Sequence, residues 1–434
     1  MKSLLMEELA ILRQAFYSIA TGAIVGLSCG LSSWIFLVSL EWATETRLEH
    51  PWLLYFLPIA GLIVAWAYRA SDPAIDSGNN LILEEIHQPA SQIPWPMAPL
   101  VAWATVFSHL FGASTGREGT AVQMGGSLAD WLAGQIKADR ETRRLMLMCG
   151  VSGGFGAVFG TPLTGTVFGL EVLSIGRIRH TALLPCFVSS VTGDIFCQWL
   201  GIGHENYQIA DPLAITPGLL FWLGLLGLTA GLVSMMFIEL THSIAHQSKK
   251  RFGTSIFRPF AGGLIIILLV KLCGTSDYLG LSLPLISLSL KAGEVALGAF
   301  LLKLIFTSVS LGMGFKGGEV TPLFGIGAAL GHVFATVFNL PVPIFAAAGF
   351  VAVFAGAANT PVACIILGFE LFGSDYGLPI AAATILAYLS SGHRSIYHAQ
   401  RIDSPKASGL DLNTDMSLKN LNTGRDLLQK KDHE

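Results

Sequence analysis

The chain has 434 residues, of which 52% are hydrophobic and 13% charged, against about 25% charged in soluble domains. A water-soluble fold is excluded, the more so because Arg401–Glu434 alone holds 12 of the 55 Asp, Glu, Lys and Arg. A net charge of −3 with no clustered basic face excludes nucleic acid as a partner.

Ala15–Leu40 runs 26 residues without an Asp, Glu, Lys or Arg, beyond the roughly 20 that cross a bilayer. It reads as a membrane span rather than a signal peptide, because it is too long for an h-region, shows no clear small-x-small cleavage site and precedes further spans. Ser77-Gly78-Asn79-Asn80-Leu81-Ile82 then opens another apolar segment. The Asn79 and Asn80 amides at a helix start can replace water around a small anion, and Asn is also a common N-cap. Next comes Gly116-Arg117-Glu118-Gly119-Thr120, between apolar Val101–Ala113 and Ala121–Leu132. A carboxylate at that depth is costly and needs a reason. Flanking glycines and a following helix start would cradle an anion there, so Glu118 can act as a tethered one that withdraws when protonated. The alternative is a structural pair between Glu118 and Arg117.

Leu145–Leu170 and Ala214–Ile238 are further uncharged runs of 26 and 25 residues and are predicted spans. Between His246 and Arg258 stand Lys249, Lys250, Arg251 and Arg258 without an acid, which marks a cytoplasmic loop. Val320–Phe369 has 50 residues without a charge; one helix of that length would measure about 75 Å against a hydrocarbon core of about 30 Å. It must be broken, with Pro322, Pro341, Pro343 and Pro361 as the expected breaks. Broken helices at membrane depth belong to transporters and channels. Just before this run, Glu319 and Thr321 offer a carboxylate and a hydroxyl, either to accept a proton and hold an ion or to favour a helix start.

An internal repeat links these pieces. Gly-x-Glu-x-Thr recurs at an offset of 201, from Gly116 to Gly317, and Thr-Pro-x6-Gly-x-Glu at 199, from Thr161 to Thr360. The chain therefore divides into a short N-terminus (1–14), a first membrane repeat (15–205), a second (206–400) and a tail (401–434), read as a short mobile cytosolic appendage. A substrate site is expected at the repeat interface near the midplane. Glu171 and Glu370, at equivalent ends of apolar segments, are read as helix-packing groups, and His332 and His393 as satisfied interior residues. The six cysteines lack Cys-x-x-Cys spacing, so neither a disulfide framework nor a metal site is expected. No His-Glu-x-x-His motif is present, and Ser114, like the other serines flanked by glycines, lacks the strand-to-helix context of a nucleophile elbow, so an intramembrane enzyme is not supported.

These motifs resemble those of the CLC family of chloride channels and anion/proton exchangers. Gly116-Arg117-Glu118-Gly119-Thr120 is similar to the family's Gly-Arg-Glu-Gly-Pro, Gly78-Asn79-Asn80-Leu81-Ile82 stands in place of Gly-Ser-Gly-Ile-Pro, and Gly317-Gly318-Glu319-Val320-Thr321-Pro322 resembles Gly-x-x-Phe-x-Pro. The departures (Thr120 for Pro, Asn79-Asn80 for Ser-Gly, Val320 for Phe, and the added Glu319 and Thr321) resemble the branch of bacterial fluoride/proton antiporters. The resemblance implies an all-α membrane protein with an inverted repeat of many tilted and broken helices. It further implies a homodimer in the bacterial inner membrane, both termini cytoplasmic, exchanging fluoride for protons without a cofactor. Glu118 would be the gating and proton-carrying glutamate. Asn79, Asn80, Gly116, Arg117, Gly119, Val320, Thr321 and Tyr397 would line the anion path, and Glu319 would serve coupling. Tyr397 falls within about one residue of the family's central tyrosine. The inner acid of many exchangers aligns with Val172, so it is missing. A chloride/proton exchanger or chloride channel of the same family is the competing reading.

Overall fold

The computed structural model describes residues 2–204, 207, 209, 214–253, 255–407 and 416–420. The first half builds α1 (Lys2–Glu49), α2 (Leu57–Arg69), α3 (Asn79–His87), α4 (Met97–Leu110), α5 (Glu118–Gln135), α6 (Arg140–Phe159), α7 (Pro162–Glu171) and α8 (Leu183–Trp199). The second builds α9 (Pro217–Phe252), α10 (Phe257–Cys273), α11 (Leu283–Leu290), α12 (Ala299–Gly312), α13 (Val320–Phe338), α14 (Val342–Ala358), α15 (Pro361–Phe372) and α16 (Gly377–Ser390). Among the described residues four helical stretches, Met6–Glu49, Pro51–Arg69, Pro217–Phe252 and Val320–Phe338, are long and apolar enough to cross a membrane. Along α1, Ile24, Leu31 and Ile35 present exposed apolar side chains, as a lipid-facing surface requires.

The long uncharged runs are cut where the backbone turns left-handed. Val320–Phe369 becomes three helices, with Asn339 (φ 53°) and Asn359 (φ 57°) at the cuts, followed by Pro341 and by Thr360-Pro361. Pro322 and Pro343, expected to break the chain, instead lie in the first turns of α13 and α14, where a missing N–H costs nothing. Leu145–Leu170 is not one span but α6 and α7, parted at Gly160 (φ 74°) ahead of Pro162.

Two close crossings repeat in the two halves. A Cβ on Gly125 would strike the Gly150 carbonyl, which packs α5 on α6, and one on Gly327 would strike the Gly349 carbonyl, which packs α13 on α14. The ends of α7 and α15 are exchanged: Glu171 accepts from the Val362 and Ala363 amides at 3.0 and 2.8 Å, and Glu370 from the Leu163 and Thr164 amides at 2.8 and 2.7 Å. Each carboxylate caps the start of the other helix, so the two run antiparallel and a local two-fold axis relates the halves. Glu171 and Glu370 are therefore packing groups. His332 is likewise satisfied, by the Ser289 carbonyl at 3.1 Å, and His393 accepts from the Lys406 amide at 3.0 Å.

The stretch read as a mobile appendage begins inside the body. Arg401–Ile402 (β2) pairs in parallel with Ser174–Ile175 (β1) and antiparallel with Met416–Ser417 (β3), and Ile402 is buried. The junction expected at 205/206 and the final residues, 421–434, lie outside the described residues.

Candidate functional site

The starts of three helices meet where the halves touch. Gly116 and Gly318 exchange backbone hydrogen bonds, N to O 2.6 Å and 2.8 Å, an antiparallel pair between the loops that lead into α5 and α13. Side chains have no room there: a Cβ on Gly116 would lie 2.7 Å from the Pro322 ring. Gly119 has Gly318 Cα, the Asn79 amide nitrogen and Glu319 Oε2 around it, at 3.0, 3.1 and 3.7 Å from where its Cβ would be. The N-termini of α3, α5 and α13 thus bring their partial positive charge to one place.

Glu118 is the first residue of α5 and has no solvent exposure. Its Oε2 accepts from the Thr321 amide at 3.0 Å and the Thr321 hydroxyl at 2.5 Å, and its Oε1 lies 3.3 Å from Arg117 Nε. Glu118 thus pairs with Arg117 and also occupies a set of donors at a helix start that suits an anion. Thr120, in place of proline, shares a 2.8 Å hydrogen bond with Thr105, a tie that proline cannot make.

The two asparagines diverge. Gly78 precedes them at φ 59°, ψ −132°, a conformation that glycine alone adopts readily. Asn79 turns toward Gly119, and its Oδ1 is buried without a hydrogen-bond partner among the described residues. Asn80 turns the other way and accepts from the Ala399 amide at 3.0 Å. It borders a cavity of about 510 Å³ that Glu84, His242, His398 and Lys419 also line, on the side of Lys249, Lys250 and Arg251 at the end of α9. Arg143 holds α3 to α5, bonding Glu85 at 3.0 Å and Asp130 at 2.5 Å, and Arg144 caps the Ile86 and His87 carbonyls.

Tyr397 is buried, two residues before the Ala399 amide that Asn80 holds. Its ring stands edge-on to Phe168, which belongs with Phe155, Phe354 and the stacked pair Phe324–Phe350 to an aromatic wall. Val320 and Val172 are buried apolar residues.

One equivalence shifts by a residue. The motif offset of 201 pairs Glu118 with Glu319, but α4 and α12, α5 and α13, and Gly125 and Gly327 all correspond at 202. Glu118 thus corresponds to Val320, and Glu319 to Arg117: Glu319 is the N-cap of α13, without a side-chain cap bond, whereas Glu118 lies within the helix. The sequence reading also passed over Lys303, which has no solvent exposure; a lone charge in apolar Ala299–Leu311 was the signal available for it.

A membrane bundle of broken helices, antiparallel in its halves and meeting at paired glycine loops around a buried carboxylate, is the architecture of an anion transport protein. The chain matches the voltage gated chloride channel family, the CLC proteins, over residues 60–392 and belongs to it. It is 46% identical over 406 residues to a "Chloride/fluoride channel protein" of Pseudomonas syringae pv. tomato, covering 92% of this chain and 90% of the relative. An H(+)/Cl(-) exchange transporter of Vibrio vulnificus is 25% identical over 420 residues, 86% of this chain and 87% of the relative. Among solved structures, a CLC-type fluoride/proton antiporter superposes with TM-score 0.86 at 33% identity, covering 89% of this chain and 98% of that one. A slow cyanobacterial Cl-/H+ antiporter shares the fold, with TM-score 0.75 at 19% identity over 86% of this chain and 94% of that one.

Proposed function

We propose that the protein is a proton-coupled fluoride antiporter that expels fluoride from the cytoplasm. The observation that carries this reading is Glu118 itself: a carboxylate, tethered at a helix start, held by the amide and hydroxyl of Thr321. Fluoride is small and strongly hydrated, so its dehydration is offset only by several close donors. Thr321, the Asn79 amide and the edges of neighbouring aromatic rings are of the right kind. When Glu118 takes a proton it loses its claim on the Thr321 donors and leaves them to the anion. When it gives up the proton it returns and displaces the anion. Alternation of the two states exchanges one for the other, and an inward proton gradient then drives fluoride out.

In this reading Gly116, Gly119, Val320 and Tyr397 line the path, Arg117 balances the carboxylate, Glu319 serves coupling, and Asn80 secures the segment that carries Tyr397. Each subunit of a homodimer in the bacterial inner membrane has its own path, and both termini face the cytoplasm with the Lys249–Arg251 cluster. The names of the fluoride/proton antiporter and the chloride/fluoride channel protein support this substrate. The test is efflux from vesicles holding the purified protein, with fluoride and chloride compared and proton movement followed. Fluoride efflux tied to proton uptake, with chloride nearly excluded, is expected. Chloride carried as readily would return the protein to the exchanger reading, and fluoride efflux without proton movement would make it a channel.

A further inference from the structure

Lys303 stands on α12 among apolar residues, and burying its amine at membrane depth is costly. Its Nζ donates to the Ser114 hydroxyl at 2.9 Å and to the carbonyls of Gly280 and Tyr278 at 2.8 and 3.2 Å. Among the described residues none of its partners is a carboxylate, so the group is not half of an ion pair.

Two more side chains on the same face of α12, one and two turns on, reach the same serine. The Thr307 hydroxyl shares a 2.9 Å hydrogen bond with Ser114 Oγ, and Ser310 Oγ accepts from the Ser114 amide at 3.0 Å. Three residues of the second half thus grip one residue of the first, four positions before Glu118. The next two positions are also held: Thr115 by His109, whose Nε2 lies 2.9 Å from its carbonyl, and Gly116 by Gly318. Beyond them the chain enters the site at Arg117 and Glu118.

We propose that Lys303 is a positioning residue for Glu118. Through Ser114 it fixes the backbone from which α5 starts, so that the carboxylate moves by side-chain rotation on a stationary mount. A loosened mount misaligns the bonds to Thr321, and an anion then passes before the proton is handed over. The inference rests on the reading of Glu118 as the proton carrier.

The test is the ratio of protons to fluoride moved by the full chain in vesicles, for wild type, Lys303→Met and the double variant Thr307→Val/Ser310→Ala. The double variant loosens the same grip and keeps the lysine. Both variants are expected to lose coupling, the ratio falling on the order of tenfold, as misplacement by a fraction of an ångström allows, while fluoride flux stays within about twofold. A wild-type ratio in the variants overturns the proposal, as does an equal loss of both fluxes, the mark of a merely structural residue. Should Lys303→Met fail to fold, the double variant decides alone. Uncoupled transport in the wild type itself would instead overturn the reading of Glu118, and this inference with it.

Discussion

The two glycine loops carry the same letters, Gly-x-Glu-x-Thr, and set them to different work. In the first, the glutamate lies within the opening turn of α5, fully buried and bonded across the two-fold axis to Thr321. In the second it lies one position earlier, at the N-cap of α13 and partly exposed. A shift of one residue rotates a side chain by about 100° on a helix, so the carboxylates meet the shared centre from different sides. The halves agree in their glycine crossings and exchanged caps, and differ at the two glutamates of the glycine loops. Symmetry builds the frame, and its local failure leaves one carboxylate among the donors.

The sharpest way to break this contrast is to neutralise both acids. Glu118→Gln is expected to leave a fluoride leak with proton movement reduced at least about a hundredfold, the scale of a lost proton-transfer group. Glu319→Gln should slow coupled exchange by about tenfold without abolishing it; identical losses in vesicle assays would make the two ends equivalent. Thr321→Val removes the hydroxyl that serves Glu118 and, in this reading, fluoride. A loss of about 1.5 kcal/mol, or roughly tenfold in apparent fluoride affinity, should appear in a titration of transport rate. The asparagines sharpen the picture next. Asn79→Ala should weaken fluoride binding by roughly threefold to fivefold, whereas Asn80→Ala, which loses the bond to Ala399, should lower the melting temperature and leave affinity within about twofold. The reverse pattern would exchange their assignments.

Smaller effects test the frame. Gly327→Ala places a methyl against the Gly349 carbonyl and should cost about 1–3 kcal/mol of stability, seen as a lower melting temperature; the same change at Gly125 should cost a similar amount. The smallest effect belongs to Asp139, the exposed N-cap of α6, whose side chain accepts from the Thr142 amide at 2.8 Å. The Thr142 hydrogen bonds hold its carboxyl below the ordinary range. Its stabilisation is therefore present at neutral pH and lost as pH falls through that lowered value. Asp139→Ala should lower the melting temperature by a degree or two near neutrality, about what an exposed cap contributes, and by less in acid.

Much of the frame was legible in the sequence. Uncharged runs gave the solvent, the charge-free stretch of 50 residues had to be broken, and recurring motifs gave two halves. The split of α6 from α7 was not read, because hydropathy is blind to a left-handed glycine that leaves apolar sequence on either side. Pro322 and Pro343 misled because proline breaks a helix in its interior and fits in its first turn. Of the site, Glu118 was visible as a costly charge between glycines. Its bond to Thr321, 203 positions away, was not, nor was the divergence of Asn79 and Asn80, which depends on how Gly78 turns the chain. The one-residue slip at Glu319 escaped because matching letters gave 201 where packing gives 202.

The exchanged caps of α7 and α15 bear on ancestry. Glu171 bonds the start of α15 as Glu370 bonds the start of α7, the pattern of an isologous contact in which each partner offers the same patch to the other. Two copies of a half-length chain, facing in opposite directions across the bilayer, would have made this contact twice from one glutamate. Joining two such copies in one chain would turn an association that depends on concentration into one that does not. It would also free each glutamate, and each glycine loop beside it, to change alone.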